Sequence, residues 1–139
     1  MGGVCFEYDV DGENFASAGN ASESVKRTLK QLGVSPASVR RVAIAMYEGE
    51  INMVIHAHGG KAAVEIFPDH IEIRLIDRGP GIADIDLAMK AGYSTATENI
   101  RSLGFGAGMG LPNMKKYSDE MTIDSAVGVG TTVYLRINF

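Results

Sequence analysis

Gly104, Gly106, Gly108 and Gly110 alternate with other residues, directly before a segment predicted to be a helix from Leu111. Glycine clustered in this way, without the three-residue period of collagen, predicts a loop with special backbone requirements. The free N–H groups of such a loop and the N-terminus of the helix can together hold an anion such as a phosphate group. The alternative is a flexible hinge, because a single glycine-rich loop does not by itself specify a phosphate site.

This loop matches neither of the two common glycine-rich phosphate motifs. No Gly-Lys-Ser or Gly-Lys-Thr follows it, which excludes a Walker loop. No strand leads into it within a parallel βαβ unit, which excludes a dinucleotide fingerprint. The identity of an anion bound here therefore depends on the other motifs of the chain.

Length, charge and cysteine content restrict the class of protein. A chain of 139 residues suits one domain over residues 1–139, and a net charge of −4 lacks the basic field of a nucleic-acid-binding protein. Cys5 is the only cysteine, so no intrachain disulfide forms, and no apolar run approaches the roughly 18 residues of a membrane span. We therefore expect a soluble cytoplasmic protein that binds neither nucleic acid nor membrane.

The N-terminal part of the chain predicts strands followed by a helix. Residues 3–10 alternate in part as a strand does, and residues 14–18 offer a second, short strand. Ser22 or Ser24 is predicted to cap a first helix that ends at Gly33. The residues expected on the buried face of this helix are Val25, Leu29 and Leu32.

A long helix and a hairpin are predicted next. Pro36 suits a helix start, and the helix runs to about Ala57. Residues 61–67 and 70–77 then predict two antiparallel strands joined by a turn at Pro68. The helix residues expected in the core are Val42, Ala45, Met46, Met53 and Ile55.

The C-terminal part predicts a helix and a second hairpin. The helix covers residues 111–117, and the strands at 120–125 and 131–138 are joined by residues 126–130. A glycine pair between two strands is first of all a hairpin turn. The whole pattern predicts an α+β two-layer sandwich, in which a mostly antiparallel sheet is covered on one face by helices.

Glu48 and Asn52 are two polar residues on the long helix whose side chains could act together. Four residues apart on a helix, they lie about 40° apart on one face, and His56 extends the same stripe. Glu50 lies about 200° from Asn52, so Glu48 is the carboxylate that can act with the amide, for example around Mg²⁺. The alternative is a solvated Glu48 beside amide and imidazole groups that bond the backbone. Gly49 weakens the helix here by roughly 1 kcal/mol relative to alanine.

Asp77 ends an apolar strand and enters a turn that contains Gly79 and Gly81. Two glycines allow the backbone to approach a flat ligand closely, and a carboxylate in this position can accept a hydrogen bond from an exocyclic amine such as that of adenine. The alternative is an ordinary turn in which Asp77 bonds its own backbone.

The four segments occur in one order, on matching secondary structure, and as an ensemble they are specific. They resemble the GHKL ATPase superfamily, which includes gyrase, the large heat-shock chaperone, histidine kinases and mismatch-repair ATPases. The resemblance covers about residues 20–138 and implies the Bergerat ATP-binding fold. The matching motifs are Glu48-x-x-x-Asn52 (the N box), Asp77-x-Gly79-x-Gly81 (the first glycine box), the Gly-x-Gly-x-Gly-Leu loop that ends at Leu111, and Gly130-Thr131.

This resemblance implies a role for each matching residue. Glu48 would be the general base on a protein hydroxyl, and Asn52 would bind Mg²⁺ and the phosphates of ATP. The residues implied in the adenine pocket are Asp77, which would bind the adenine amine, Gly79, Gly81 and Thr131. Those implied near the phosphates are Gly106, Gly108, Gly110, Leu111 and the lid residue Arg101, with Lys90 second. The alternative for Arg101 and Lys90 is a solvated side chain.

Within the superfamily, the chain is most similar to the small bacterial anti-sigma-factor and stress-switch serine/threonine kinases, through residues 114–121 and 130–135. This implies an ATP-binding anti-sigma regulatory factor that phosphorylates a small antagonist protein and also sequesters a sigma factor or activates a phosphatase. A homodimer is implied as well. Two alternatives remain: an ATP-dependent binding module without kinase activity, and a detached histidine-kinase catalytic domain.

Overall fold

The computed structural model of the chain describes residues 3–11, 19–57, 59–79, 81–82, 89 and 110–139, with the backbone alone for 55–57 and 110. Several predicted features lie outside the described residues. They are the short strand at 14–18, the loop residues Lys90, Arg101, Gly104, Gly106 and Gly108, and the side chains of Ile55 and His56.

Five strands form one antiparallel sheet. β1 spans Val4–Asp11, β2 Gly59–Ile66, β3 His70–Asp77, β4 Glu120–Ala126 and β5 Gly130–Asn138. Their order across the sheet is β1-β2-β3-β5-β4, and each neighbouring pair is antiparallel. Both predicted hairpins, β2–β3 and β4–β5, are confirmed, as is the antiparallel character of the sheet.

Three helices are described: α1 spans Asn20–Gln31, α2 Pro36–Ala57 and α3 Gly110–Lys116. α2 crosses the sheet and contacts β1, β2, β3 and β5. In β3 the side chains that face the helices are buried, as Ile73 is, whereas Arg74 on the other face is exposed. The molecule is therefore the predicted α+β two-layer sandwich, with helices on one face of the sheet.

The core lies between the helices and the inner face of the sheet. Its largest fully buried apolar side chains are Leu29, Met46, Ile71, Ile73, Leu75, Met114, Leu135 and Ile137. Of the predicted helix residues, Val25, Leu29, Val42, Ala45, Met46 and Met53 are buried. The prediction for Leu32 was wrong, since this side chain is 58% exposed. α1 ends at Gln31, so Leu32 no longer follows the buried helix face, and Val34 packs against the core instead.

The start of α1 is capped by a residue of α2. Gly19 is the N-cap residue, with φ +97°, and no side chain at that position bonds the helix. The carboxylate of Glu50 instead accepts hydrogen bonds from the backbone N–H groups of Gly19, Ala21 and Ser22. The predicted cap at Ser22 or Ser24 was therefore wrong. A buried carboxylate fits this position because it complements the positive N-terminus of a helix.

Gly49 marks a close approach between α2 and its neighbours. A Cβ atom added there would lie 2.1 Å from Leu75 Cδ1 in β3 and 3.2 Å from Met114 Cε in α3. Glycine therefore lets α2 lie directly on β3 and beside α3. This contact offsets the roughly 1 kcal/mol that glycine costs in a helix.

Candidate functional site

Asp77 lies at the end of β3. One of its two carboxylate oxygens, Oδ1, accepts the hydrogen bonds that orient the side chain. Oδ1 accepts hydrogen bonds from the backbone N–H of Gly79 at 2.9 Å and from that of Thr131 at 3.1 Å. None of the described residues donates a hydrogen bond to Oδ2. The turn bond considered as an alternative is therefore present, and both described hydrogen bonds of the carboxylate use the same oxygen, Oδ1.

Thr131 belongs to a chain of hydrogen bonds beside Asp77. It pairs with Asp77 across β3 and β5, and its side chain is 7% exposed. Its hydroxyl shares a hydrogen bond of 2.8 Å with the hydroxyl of Ser125 in β4. The Ser125 hydroxyl also accepts the backbone N–H of Ile82 at 2.7 Å. Strands β3, β5 and β4 are thus tied to the segment that follows Gly81.

Ser125 is a site residue that sequence reasoning missed. It lies on the same face of β4 as Met121 and Ile123, which pack against the core. A hydroxyl at a position that the period-two pattern assigns to the inner face is a signal for a buried hydrogen bond. The pattern of the strand contained this signal, but not the identity of the partners.

Two glycines hold the backbone around Asp77 in close contact. At Gly130, with φ +147°, an added Cβ atom would lie 2.2 Å from the carbonyl oxygen of Asp77. At Gly81, with φ +79°, it would lie 2.5 Å from the carbonyl oxygen of Ala126. The turn after β3 is therefore pressed against the β4–β5 turn, and only glycine fits both contacts without strain.

Glu48 and Asn52 both lie half-buried on α2. Oε1 of Glu48 accepts a hydrogen bond of 3.5 Å from Nδ2 of Asn113 in α3. The Asn52 amide has no hydrogen-bond partner among the described residues. Asn113, which sequence reasoning missed, connects the helix of Glu48 to the helix that follows the alternating glycines.

Glu48 and Glu50 serve different neighbours, in agreement with their separation around the helix. Glu50 is 2% exposed and bonds the start of α1, while Glu48 faces α3. Leu111, the first residue after the glycine repeat, is 7% exposed and packs in the core with Met114. This packing holds the beginning of α3 next to α2.

A charged cluster around His70 lies at the opposite end of β3 from Asp77. His70 stacks on Phe67 with ring centroids 4.3 Å apart, and its two ring nitrogens bond Asp69 at 2.6 Å and Glu72 at 3.1 Å. Burial lowers the pKa of His70, but the hydrogen bonds to the two carboxylates outweigh burial and raise the pKa above its ordinary value. This cluster fastens the β2–β3 hairpin and is remote from the candidate site.

Comparison with known proteins gives a consistent group of relatives. Residues 37–139 match the family described as histidine kinase-, DNA gyrase B- and HSP90-like ATPase. The chain is 31% identical over 112 residues to the serine/threonine-protein kinase RsbT of Bacillus subtilis, covering 78% of each chain. It is 32% identical over 122 residues to the anti-sigma F factor of Caldanaerobacter subterraneus, covering 81% of this chain and 82% of that one.

A relative with fuller coverage is the anti-sigma F factor of Clostridium beijerinckii. The identity is 30% over an alignment of 142 positions, which covers 98% of this chain and 94% of the relative. Within the described part of the chain, no helix has the length and apolar character needed to cross a membrane.

Proposed function

Because this chain belongs to the family of histidine kinase-, DNA gyrase B- and HSP90-like ATPases, we propose that it binds ATP with Mg²⁺ between α2, the end of β3 and the start of α3. The observation that carries the proposal is the Asp77 carboxylate, which is fixed through Oδ1 and available through Oδ2. A rigid acceptor of this kind suits the exocyclic amine of adenine.

The adenine end of the site is formed by Asp77, Gly79, Gly81 and Thr131. Oδ2 of Asp77 accepts the adenine amine, and Gly79 and Gly81 allow the ring to lie close to the backbone. The Thr131 hydroxyl, held by Ser125, supports the pocket from β5. The Asp77 side chain needs no rearrangement to bind, because its geometry is already set by two backbone N–H groups.

The phosphate end is formed by Asn52 and the glycine-rich segment. Gly106, Gly108 and Gly110 would hold the phosphates through their backbone N–H groups, Arg101 would contact the phosphates as well, and Leu111 would anchor the helix that follows. Among the described residues, no group of three or more His, Cys, Asp or Glu side chains can hold a metal ion. One amide oxygen from Asn52 together with phosphate oxygens fits Mg²⁺, which neutralises the charge of the phosphates.

The activity that fits these residues best is transfer of the γ-phosphoryl group to a serine or threonine of a partner protein. The hydroxyl oxygen of the partner attacks the γ-phosphorus, Glu48 accepts the hydroxyl proton, and the bond to ADP breaks with its electrons staying on ADP. The hydrogen bond from Asn113 orients the Glu48 carboxylate for this role. RsbT, one of the relatives, carries the name of a serine/threonine-protein kinase.

The names of the relatives and the chemistry of phosphoryl transfer support a choice of partners. A kinase of this size acts on another chain, here a small antagonist protein, in a regulatory system that also contains a sigma factor or a phosphatase. The relatives from Caldanaerobacter subterraneus and Clostridium beijerinckii both carry the name of an anti-sigma factor. The protein then works in the cytoplasm as a single domain over residues 1–139, and it forms a homodimer.

Incubation with γ-labelled ATP, Mg²⁺ and the proteins encoded beside this chain tests the transfer step. We expect acid-stable phosphate on serine or threonine of one partner, and loss of labelling in Glu48→Gln with ATP binding nearly unchanged. Asp124→Asn, an exposed carboxylate on the outer face of β4, is the control and should label the partner as the wild type does.

Two results would replace the kinase proposal. Acid-labile label would indicate transfer to histidine, as in a detached histidine-kinase catalytic domain. Binding of ATP without label on any partner would indicate a nucleotide-dependent binding module, in which ATP selects the partner instead of modifying it.

A further inference from the structure

A groove lies between α1 and the first half of α2, away from Asp77. It encloses about 610 Å³. Its apolar lining is formed by Val34, Pro36, Val39, Ala43 and Ile44. Three basic side chains line it as well: Lys26, Lys30 and Arg40.

The groove follows from how the two helices pack. The connection at 32–35 is short, so α1 and α2 lie side by side and antiparallel. Val25 and Leu29 of α1 are used for the core, which leaves Lys26 and Lys30, four residues apart, on the adjoining stripe of the helix. On α2 the small side chain of Ala43 leaves the depression between the helices open.

The basic side chains that line the groove differ from their neighbour Arg41 in their ion pairing. Among the described residues, no carboxylate lies within ion-pair distance of Lys26, Lys30 or Arg40, whereas the neighbouring Arg41 is paired with Asp119 at 2.8 Å. Like charges at i and i+4 on a helix repel each other. In a chain with a net charge of −4, three cations that make no ion pair with any described residue surround an apolar floor and are complementary to an acidic ligand.

We propose that this groove binds an acidic amphipathic helix of a partner protein, with its apolar stripe on the floor and its Asp and Glu side chains on the basic rim. From Pro36 to Ile44 the floor extends about 12 Å, which accepts about two helical turns and apolar anchors at i, i+3 or i+4, and i+7.

The place of the groove connects it with the candidate active site. Ile44 precedes Glu48 by four residues, so the groove ends one helical turn before the proposed general base. A partner helix bound there brings its next segment towards Glu48. The inference rests on the proposed function, because a protein kinase needs a docked protein substrate, but helix binding is measured without nucleotide so that the two can fail separately.

The test uses a fluorescein-labelled synthetic 18-residue amphipathic helix, with Leu on one stripe and Glu on both flanks, titrated with the full chain. We expect saturable anisotropy that weakens as salt is raised. The double variant Lys30→Glu/Arg40→Glu should bind at least tenfold more weakly. Arg27→Glu, an exposed change on α1 outside the groove, is the matched control and should bind as the wild type does.

Three further measurements complete the experiment. Circular dichroism of each variant confirms that the chain is folded, and a peptide with Lys in place of Glu should show no binding. Calorimetry with Mg²⁺-ATP on the same samples should give equal affinities for wild type and Lys30→Glu/Arg40→Glu. If the wild type binds no ATP, the proposed function is overturned, but the peptide result still stands by itself.

Four outcomes would overturn the groove proposal. The acidic peptide fails to bind, or it binds the wild type and the charge-reversed variant equally. Alternatively, phosphatidylglycerol vesicles or a DNA duplex bind through the same cations while the peptide does not. Finally, sedimentation equilibrium shows a dimer that Ile44→Glu converts to a folded monomer, which would make the groove an interface between two copies of this chain.

Discussion

Asp77 and Thr131 face each other across β3 and β5, and the Thr131 backbone N–H donates a hydrogen bond to Asp77 Oδ1 at 3.1 Å. The carboxylate is thereby oriented by the sheet itself and not only by its own turn. Since Gly130 allows the two strands to approach so closely, the Gly130-Thr131 pair and Asp77 form one structural unit.

Ser125→Ala should weaken nucleotide binding without unfolding the chain. The change removes the hydrogen bonds to Thr131 and to the N–H of Ile82, which together hold the turn after Gly81. A net loss of about 0.5–1.5 kcal/mol corresponds to roughly twofold to tenfold weaker ATP binding in calorimetry. Thr122→Ala on the outer face of β4 should leave affinity unchanged, and equal affinities for Ser125→Ala and wild type would refute the positioning role.

Gly49→Ala should destabilise the protein although alanine is the better helix former. The new methyl group meets Leu75 Cδ1, so α2 must move or Leu75 must leave its rotamer. We expect a net loss of about 1–3 kcal/mol in the free energy of unfolding, measured with urea. Combined with Leu75→Val, which removes that atom, the penalty should shrink. A stabilised Gly49→Ala would show that helix propensity dominates.

Glu50→Gln and Glu48→Gln should separate structure from activity on one helix. Glu50 is buried and its carboxylate accepts hydrogen bonds from three backbone N–H groups. In Glu50→Gln the side-chain NH₂ group would face one or more of these N–H donors. We expect Glu50→Gln to lower the free energy of unfolding by about 1–3 kcal/mol. Glu48→Gln should change it by less than about 0.5 kcal/mol. The reverse ranking in urea unfolding would contradict this assignment.

His70 should make stability fall as the pH rises above neutral. The pKa of His70 is raised in the folded state, so its contribution is complete below the ordinary value of about 6.5 and is lost as the pH rises through the folded pKa. The stability difference between wild type and His70→Gln should therefore decrease across this range in urea unfolding. If the stability difference does not vary with pH, protonated His70 is not stabilised by Asp69 and Glu72.

The sequence predicted most of the secondary structure because its signals are local. Alternation in β3 identified the buried residues, and the turns at Pro68 and at residues 126–130 identified both hairpins. The long helix from Pro36 to Ala57 followed from the absence of a strong breaker. The end of α1 was predicted less accurately. The periodicity of apolar residues continued through Leu32, but the helix ends at Gln31.

Contacts between distant residues carried no such signal. Glu50 caps α1 across about thirty positions, and Asn113 reaches Glu48 from 65 residues away. From the sequence, Gly49 indicated only a weakened helix. The structure shows that glycine is needed there because Leu75 of β3 occupies the space of a side chain. The candidate motifs were identified from their residue types and spacing, whereas the residues that support them became evident only from the packing.

Calorimetric titration of Mg²⁺-ATP into wild type and Asp77→Asn tests the central claim most directly. The asparagine retains an oxygen for the N–H groups of Gly79 and Thr131 but presents a donor to the adenine amine. We expect saturable binding by the wild type and about tenfold to a hundredfold weaker binding by Asp77→Asn, with Asp124→Asn unchanged. Equal affinities for Asp77→Asn and wild type, or no heat with wild type at millimolar ATP, would contradict the proposed site.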